Sequence, residues 1–378
     1  MEINKARIIK ELGAGMFGTT YLIELNGKEY ALKIQHILSK DEKESYKSEL
    51  WREMDLYKYI ESLPEKDQKF FTKLYGFQII ECDHIQKRPF TIQGYGTFVR
   101  KLKKLDSSKL CAKYLMDYHG ESNFLKFLQT HKVNQNELRS IVIQVIKILL
   151  ILYEGGYAHT DLHTGNIMIK PTDDKYFDFY GKKIPFNGYQ IVSIDYGEII
   201  HEKFGISYKN GWRKLFLKDR ESFLFMEMFY DILGIISNFI YLMNDCREQK
   251  KKLPWERKGD AWGDGLKKIM INHPDFFKEN IEKYSNDFPK TRKLLQYLFD
   301  NRRNKKRIDE IMKVKKVDKN YFYLVLSKIQ EKFNYFYPNE YAKYFKWCSV
   351  IKIAFPEKKF LDFLDVKNYN DIINWIIN

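Results

Sequence analysis

The stretch that decides the fold is Tyr157-Ala158-His159-Thr160-Asp161-Leu162-His163-Thr164-Gly165-Asn166-Ile167-Met168. It follows a nearly all-apolar helical pattern from Asn136 to Gly155 and the break at Gly155-Gly156. His159, Asp161 and Asn166 form an HxDxxxxN pattern in a loop flanked by apolar residues. Phosphoryl transfer needs a carboxylate to orient the attacking hydroxyl and an oxygen ligand to hold a metal ion near the phosphates. Asp161 suits the first role and Asn166 the second. A loop of ordinary capping and turn residues is the plain alternative, and it leaves three specific types at fixed offsets unexplained.

Downstream, Ile191-Val192-Ser193-Ile194-Asp195-Tyr196-Gly197-Glu198 is a buried-strand pattern ending in Asp-Tyr-Gly. A carboxylate at a strand end can chelate Mg²⁺ that bridges the β- and γ-phosphates of a nucleotide. Upstream, Gly13-Ala14-Gly15-Met16-Phe17-Gly18 lies between two strand patterns. Without a Cβ, such glycines let backbone N–H groups reach phosphate oxygens. A dinucleotide-binding turn would be followed by a helix, whereas here a strand, Thr19 to Leu25, follows. Fifteen residues after Gly18, Ala31-Leu32-Lys33-Ile34 sets a lysine among apolar neighbours. Such a lysine needs a carboxylate to keep its charge. Glu53, on the next helical pattern, is the first choice, and Glu49, one turn earlier, is the reserve.

Around these motifs the chain divides in outline. Strands are expected over Arg7–Leu12, Thr19–Leu25 and Lys28–Gln35, with an Asn26-Gly27 hairpin turn. A helix over 40–62, closed by Pro64, carries the stripe Leu50, Met54, Tyr57 and Ile60. Further strands are expected at Tyr75–Cys82, Thr91–Val99 and Leu110–Tyr118. Helices follow at Phe124–Thr130 and Asn136–Gly155, and helical patterns dominate beyond residue 219. Strand-rich first and helix-rich second outlines two lobes joined near residue 118.

The 378 residues exclude a peptide-sized scaffold, and 44% hydrophobic with 16% aromatic content excludes a disordered chain. No apolar run is long enough to cross a bilayer. Cys82, Cys111, Cys246 and Cys348 form no CxxC pair, so reduced thiols in a cytosol-like compartment are expected. The formal charge of +15 attracts polyanions, although Lys-rich composition also simply keeps a protein soluble. Residues 302–319, with Arg302, Arg303, Lys305, Lys306 and Arg307 at their head, suit either a nucleic-acid patch or a solvated helix face.

Together, the glycines, Lys33, Glu53, HxDxxxxN and Asp-Tyr-Gly, in this order, resemble the eukaryotic-type protein kinase family over residues 6–200. The resemblance implies an α+β, bilobal protein-kinase-like fold. Residues 1–118 would form a small β-rich N-lobe with one key helix, and 119–378 a larger, mainly helical C-lobe. It implies a Ser/Thr-directed, ATP- and Mg²⁺-dependent enzyme. Asp161 would be the catalytic base, Lys33 would contact the α/β-phosphates and pair with Glu53, and Asn166 and Asp195 would hold Mg²⁺. Leu12, Thr20, Ala31 and Met168 would sandwich adenine beneath the loop Gly13, Ala14, Gly15, Met16, Phe17 and Gly18. Met116 would be the gatekeeper, with Asp117 and Tyr118 in the hinge.

Departures from the family pattern are equally specific. Thr160 stands in place of the usual arginine before Asp161, which implies activity without activation-loop phosphorylation. His163 stands where a lysine usually neutralises the γ-phosphate. Asp-Leu-His-x-Gly-Asn and Asp-Tyr resemble haspin-type kinases, and the first also resembles aminoglycoside and choline kinases. Twenty-eight residues separate Asn166 from Asp195, so Thr172–Gln190 is expected to form an inserted hairpin. No Ala-Pro-Glu follows Glu198. The combination also resembles kinases of large cytoplasmic DNA viruses of the iridovirus type, which implies host cytoplasm or virion as the location. The expected partners are ATP and a protein substrate, basic or nucleic-acid-associated. A small-molecule phosphotransferase is the alternative, and a pseudokinase scaffold the third choice.

Overall fold

The computed structural model describes residues 6–14, 18–38, 42–45, 48–82, 107–202, 224, 228, 231–232, 354–358, 362–363, 366 and 368–378. It is a mixed α+β structure. Strands β1 (Arg7–Ala14), β2 (Gly18–Leu25), β3 (Lys28–Leu38), β4 (Leu74–Glu81) and β5 (Ser107–Asp117) form one antiparallel sheet in the order β1-β2-β3-β5-β4. The β2–β3 hairpin turns on Asn26 (φ 53°) and Gly27 (φ 74°), both left-handed as the twist of a tight hairpin requires. Gly18 opens β2 so close to β3 that an added Cβ would lie 2.0 Å from the Ile34 carbonyl oxygen. Only glycine fits there.

Side-chain alternation gives the sheet two distinct faces. On the outer face Tyr30, Leu32, Ile34, Cys111 and Leu115 join Ile23 and Leu25 in a small core of their own. On the inner face Ile37, Ala112 and Tyr114 join the main core, with helix α1 (Glu49–Ser62) packed among them. That helix begins at Glu49 rather than at 40, and residues 42–45 are not helical. The reason is burial. Residues 40–49 are charged and polar and have no apolar stripe to bury, while Leu50, Leu56, Tyr57 and Ile60 supply one.

After the four-residue helix α2 (Glu65–Gln68), residues 70–72 cross to strand β10 (Tyr189–Ser193). The Ser193 N–H donates to the Phe70 carbonyl at 2.9 Å, and Thr72 N–H to Ser193 O at 3.1 Å. Helix α3 (Phe124–Thr130) precedes the central helix α4 (Gln135–Glu154), which starts on a reciprocal Asn134/Glu137 capping box. Nearly every residue of α4 from Leu138 to Leu152 is buried. Its three buried polar side chains are all partnered, Ser140 through its hydroxyl, which donates to the Pro185 carbonyl at 2.8 Å. Gln144 accepts from Ile191 N–H and donates to Tyr189 O, and Lys147 pairs with Asp67 at 2.7 Å. Apolar burial at roughly 2 kcal/mol per large side chain fixes this helix, and the partners keep Gln144 and Lys147 from undoing it.

Beyond α4, β6 (Tyr157–Ala158) pairs with β11 (Ile200–His201), and β7 (Ile167–Pro171) pairs with β10. Between β7 and β10, β8 (Tyr176–Phe179) and β9 (Lys182–Pro185) form a hairpin within 172–190. Helix α5 (Tyr369–Ile377) ends the chain, and among the described residues no helix is long and apolar enough to cross a membrane. The expected strand Thr91–Val99 and the basic stretch 302–319 lie outside the described residues.

One expectation is corrected. Cys82 and Cys111 are joined by a disulfide, with Cα atoms 5.1 Å apart, and are not two separate reduced thiols. Their 29-residue separation conceals that β4 and β5 are antiparallel neighbours, which brings the two side chains to one spot on the outer face.

Candidate active site

Lys33 sits in the middle of β3 on the inner face, across from Thr20 on β2 and Tyr114 on β5. Its ammonium lies 5.4 Å from the centre of the Tyr114 ring. Glu53 falls on the buried stripe of α1, so its carboxylate enters the core with 1% side-chain exposure. A buried carboxylate needs a cation. Lys33 Nζ lies 3.4 Å from Glu53 Oε1 and 3.1 Å from Asp195 Oδ1. Burial pulls the Lys33 ammonium down, but the Glu53 and Asp195 carboxylates outweigh it and hold the group above its ordinary value. Burial pushes the Glu53 carboxyl up against the pull of Lys33, whereas the Lys33 charge holds that of Asp195 down. The Lys33 direction is the firm one, since two carboxylates face a single ammonium. Glu49 takes another partner, Arg52 at 3.9 Å, and is half-buried.

The residues around His159–Asn166 and Asp195 are held by an unusual backbone. Thr160 (φ 63°) and Asp195 (φ 60°) both lie in the left-handed region, which is costly for a non-glycine residue and most of all for a β-branched one. Two hydrogen bonds hold Thr160 there. Its N–H donates to Asp231 Oδ2 at 2.8 Å, and its hydroxyl donates to the Glu198 carbonyl at 2.7 Å. Asn166 is buried, and its side-chain N–H donates to the Asp161 carbonyl at 3.0 Å. The Asn166 carbonyl in turn accepts from Ile194 N–H at 3.0 Å, so the loop and the Asp195 segment are directly joined. His163 Nδ1 accepts from Gly165 N–H at 3.0 Å and caps the turn that delivers Asn166.

Asp161 presents an exposed carboxyl to solvent at this junction. Neighbouring protein still removes enough water to push it above its ordinary value, with His163 opposing and Asp195 adding to the rise. His159 is fully buried, and among the described residues neither ring nitrogen meets a partner at hydrogen-bond geometry. Burial, partly opposed by the Asp195 charge and nearby backbone, lowers it to about 4, so it is a neutral packing group. Its ring lies 5.6 Å from that of Tyr196, which lies 5.5 Å from Tyr57 on α1. These edge-to-face ring contacts connect the loop to the helix that carries Glu53.

The remaining sequence-predicted residues are distributed as follows. Leu12, Gly13 and Ala14 end β1, Gly18 and Thr20 begin β2, and Gly13 faces Thr20 across the pair. Met116 on β5 pairs with Ala31 on one side and Leu74 on the other, and accepts from the Tyr57 hydroxyl at its sulfur (3.3 Å). Asp117 ends β5 and accepts from the Tyr75 hydroxyl at 2.8 Å, with Tyr118 next in the chain. Met168 lies on β7 across from Val192. Gly15, Met16 and Phe17 lie outside the described residues. The structure thus brings Lys33, Glu53 and Asp195 into one ion cluster and binds Asn166 to the Asp161 backbone.

Two positioning residues escaped the sequence reading. Asp231 lies 71 residues beyond Thr160 and fits no local motif. Its signal is an acid in a largely apolar stretch, where Leu224, Met228 and Ile232 are all buried at helical spacing. Arg52, on α1, donates from Nε to the Ile199 carbonyl at 2.9 Å and ties the Glu53 helix to the segment after Asp195. An arginine in a charged helix looks like any solvated side chain until the fold closes.

The donor set suits a hard cation. Asp195 keeps 52% of its side chain exposed, and Asn166 spends its amide nitrogen on Asp161, which leaves an amide oxygen and a carboxylate. Such oxygens match Mg²⁺.

No protein-family model matches the chain. A protein of Acanthamoeba polyphaga mimivirus named as a candidate serine/threonine-protein kinase is 24% identical over 230 residues, 61% of this chain and 34% of that relative. A serine/threonine-protein kinase of Nematostella vectensis is 39% identical over 62 residues, 16% of this chain and 6% of that relative. The chain therefore spans about a third of the first relative's length and far less of the second's. Both matches are distant, one viral and one animal, and both support a protein kinase family.

Proposed function

We propose that this protein is an ATP-dependent protein kinase that transfers the γ-phosphate to serine or threonine hydroxyls of a protein substrate. The observation that carries the proposal is the Lys33 ammonium, 3.4 Å from Glu53 and 3.1 Å from Asp195, beside a loop in which Asn166 is bonded to Asp161. The fold proposed is bilobal, with residues 1–118 as the N-lobe and 119–378 as the C-lobe. ATP would lie between them, beneath the 13–18 loop and against Leu12, Thr20, Ala31, Met116, Asp117, Tyr118 and Met168.

In this account Glu53 aims the Lys33 ammonium at the α/β-phosphates, where a fixed positive charge stabilises the charge that develops on transfer. Asp161 accepts the hydrogen bond of the incoming hydroxyl and takes its proton, and its upward-shifted carboxyl is the better base for it. His163, fixed by Gly165 N–H, stands beside the incoming group. Asn166 and Asp195 would hold Mg²⁺, which when bound supplies charge neutralisation at the phosphates. The β8–β9 hairpin and Tyr196 support an atypical, haspin-like member with a viral type of catalytic loop. Both relatives are named as protein kinases, so the small-molecule alternative is not favoured.

The test is incubation of the purified chain with labelled ATP and Mg²⁺ beside casein, histone, aminoglycosides and choline. Label on serine or threonine of the proteins is the expected result, whereas label confined to the small molecules would overturn the protein-kinase proposal.

A further inference from the structure

The outer face of the sheet carries a second cluster, unrelated to phosphoryl transfer. His36 on β3 lies directly across from Cys111 on β5, and Cys82 follows β4 on the other side of Cys111. His36 Nδ1 lies 3.4 Å from Cys82 Sγ and 3.7 Å from Cys111 Sγ. Among the described residues this is the one group of three such side chains whose donor atoms all lie within 4.8 Å of one another.

We propose that the reduced Cys82–Cys111 pair, together with His36 Nδ1, is a thiolate–imidazole site for a divalent cation of the Zn²⁺ class. In tetrahedral zinc, with bonds of about 2.3 Å to sulfur and 2.0–2.1 Å to nitrogen, the S···N edge is about 3.6 Å. The two observed S···N separations straddle that value, so His36 already stands where a ligand would. Two soft sulfurs and one imidazole select zinc over magnesium or calcium. Cys111 is fully buried and belongs to an apolar cluster with Ile34 and Leu115, with Ile80 and Cys82 packed against it. Such a shell lowers the local dielectric at the Cys111 sulfur, while the half-buried His36 and Cys82 keep the other side open to solvent. Three protein ligands leave the fourth position to water.

A tetrahedral zinc holds its two sulfurs about 3.8 Å apart. The sulfurs can therefore bind the cation or each other, and not both. A thiol reductant opens the disulfide: two reductant thiols pass two electrons and two protons to the Cys82–Cys111 bond and leave as their own disulfide, and the two cysteine thiols so formed lose those protons to solvent as the cation binds; exchange with the oxidised reductant in the reverse direction restores the bond. The proposal goes beyond phosphoryl transfer and stands or falls independently of it.

The experiment uses the full chain, reduced with a phosphine, freed of metal and titrated with Co²⁺ alone. One equivalent is expected to produce thiolate-to-cobalt charge-transfer absorption, which one equivalent of Zn²⁺ then erases. His36→Gln keeps both thiols and is expected to weaken Co²⁺ binding by at least about tenfold. Cys82→Ser is expected to remove the absorption with unchanged far-ultraviolet circular dichroism. The unreduced chain should show none. If Cys82→Ser does not fold, His36→Gln and the unreduced chain decide the matter. No absorption in the reduced chain, absorption indifferent to His36→Gln, or absorption that survives without reduction would each overturn the site.

Discussion

The two faces of the five-stranded sheet are built from the same strands by simple alternation, yet they organise chemistry in opposite ways. On the outer face, His36, Cys111 and Cys82 meet because three neighbouring strands keep register, and nothing outside the sheet is required. On the inner face, Lys33 means nothing until Glu53 arrives from α1 and Asp195 from beyond β10. Those arrivals depend in turn on Arg52, Asp231 and the edge-to-face ring contact of His159 with Tyr196. A site closed within one sheet should tolerate distant change, whereas a site assembled from three separate segments should feel it.

The largest effect is expected from breaking the inner cluster. Lys33→Met strands the fully buried Glu53 carboxylate and should cost about 3–5 kcal/mol of stability by denaturant unfolding, along with phosphoryl transfer. Adding Glu53→Gln should restore part of the stability and none of the transfer. An unchanged unfolding midpoint in Lys33→Met would show that the pair is not buried as described.

Next comes pH. His159 is lowered to about 4 from 6.5, so the unfolded chain binds its proton first as pH falls. Stability is complete above pH 6.5 and should decline as the pH drops towards about 4, by on the order of 3 kcal/mol. His119, chiefly desolvated and also lowered to about 4, adds a slope of the same sign. His159→Phe should therefore flatten part of the decline between pH 6.5 and 4 and leave the His119 share. An identical slope in the variant would contradict the assignment.

A smaller loss is expected from Asp231→Ala, which releases the left-handed Thr160 backbone. Transfer should fall by roughly tenfold to a hundredfold with ATP affinity retained, as for a residue that orients a ligand-bearing loop without touching substrate. Asp231→Asn, which keeps an acceptor oxygen, should lose less. A variant that lost ATP binding and transfer in equal measure would point to general unfolding instead. The smallest expected effect is none: phosphatase treatment should leave transfer intact, because Thr160 offers no guanidinium for a phosphorylated loop to engage. Loss of all transfer after treatment would overturn that expectation.

How much was legible in the sequence follows the same division. The pairing of Lys33 with Glu53 was legible because a lysine set among apolar neighbours needs a carboxylate, while Asp161 and Asn166 could be proposed because phosphoryl chemistry restricts residue types within one short loop. The hairpin within 172–190 was legible from the length of the segment between Asn166 and Asp195. The disulfide was not, because Cys82 and Cys111 carry no local spacing signal and meet through strand register alone. Asp231 was not, because its partner is a backbone N–H 71 residues away. The start of α1 was placed too early, since periodicity was extended through charged residues that have no apolar face to bury.

The most direct test of the central claim is to measure ATP binding and γ-phosphate transfer together in the parent chain and in Asp161→Ala. The account predicts that binding in the presence of Mg²⁺ survives within a few-fold while transfer falls by roughly 10²–10⁴-fold, the usual worth of a positioned acid–base group. Transfer that persists in the variant, or a parent chain that binds no adenine nucleotide with Mg²⁺, would contradict it.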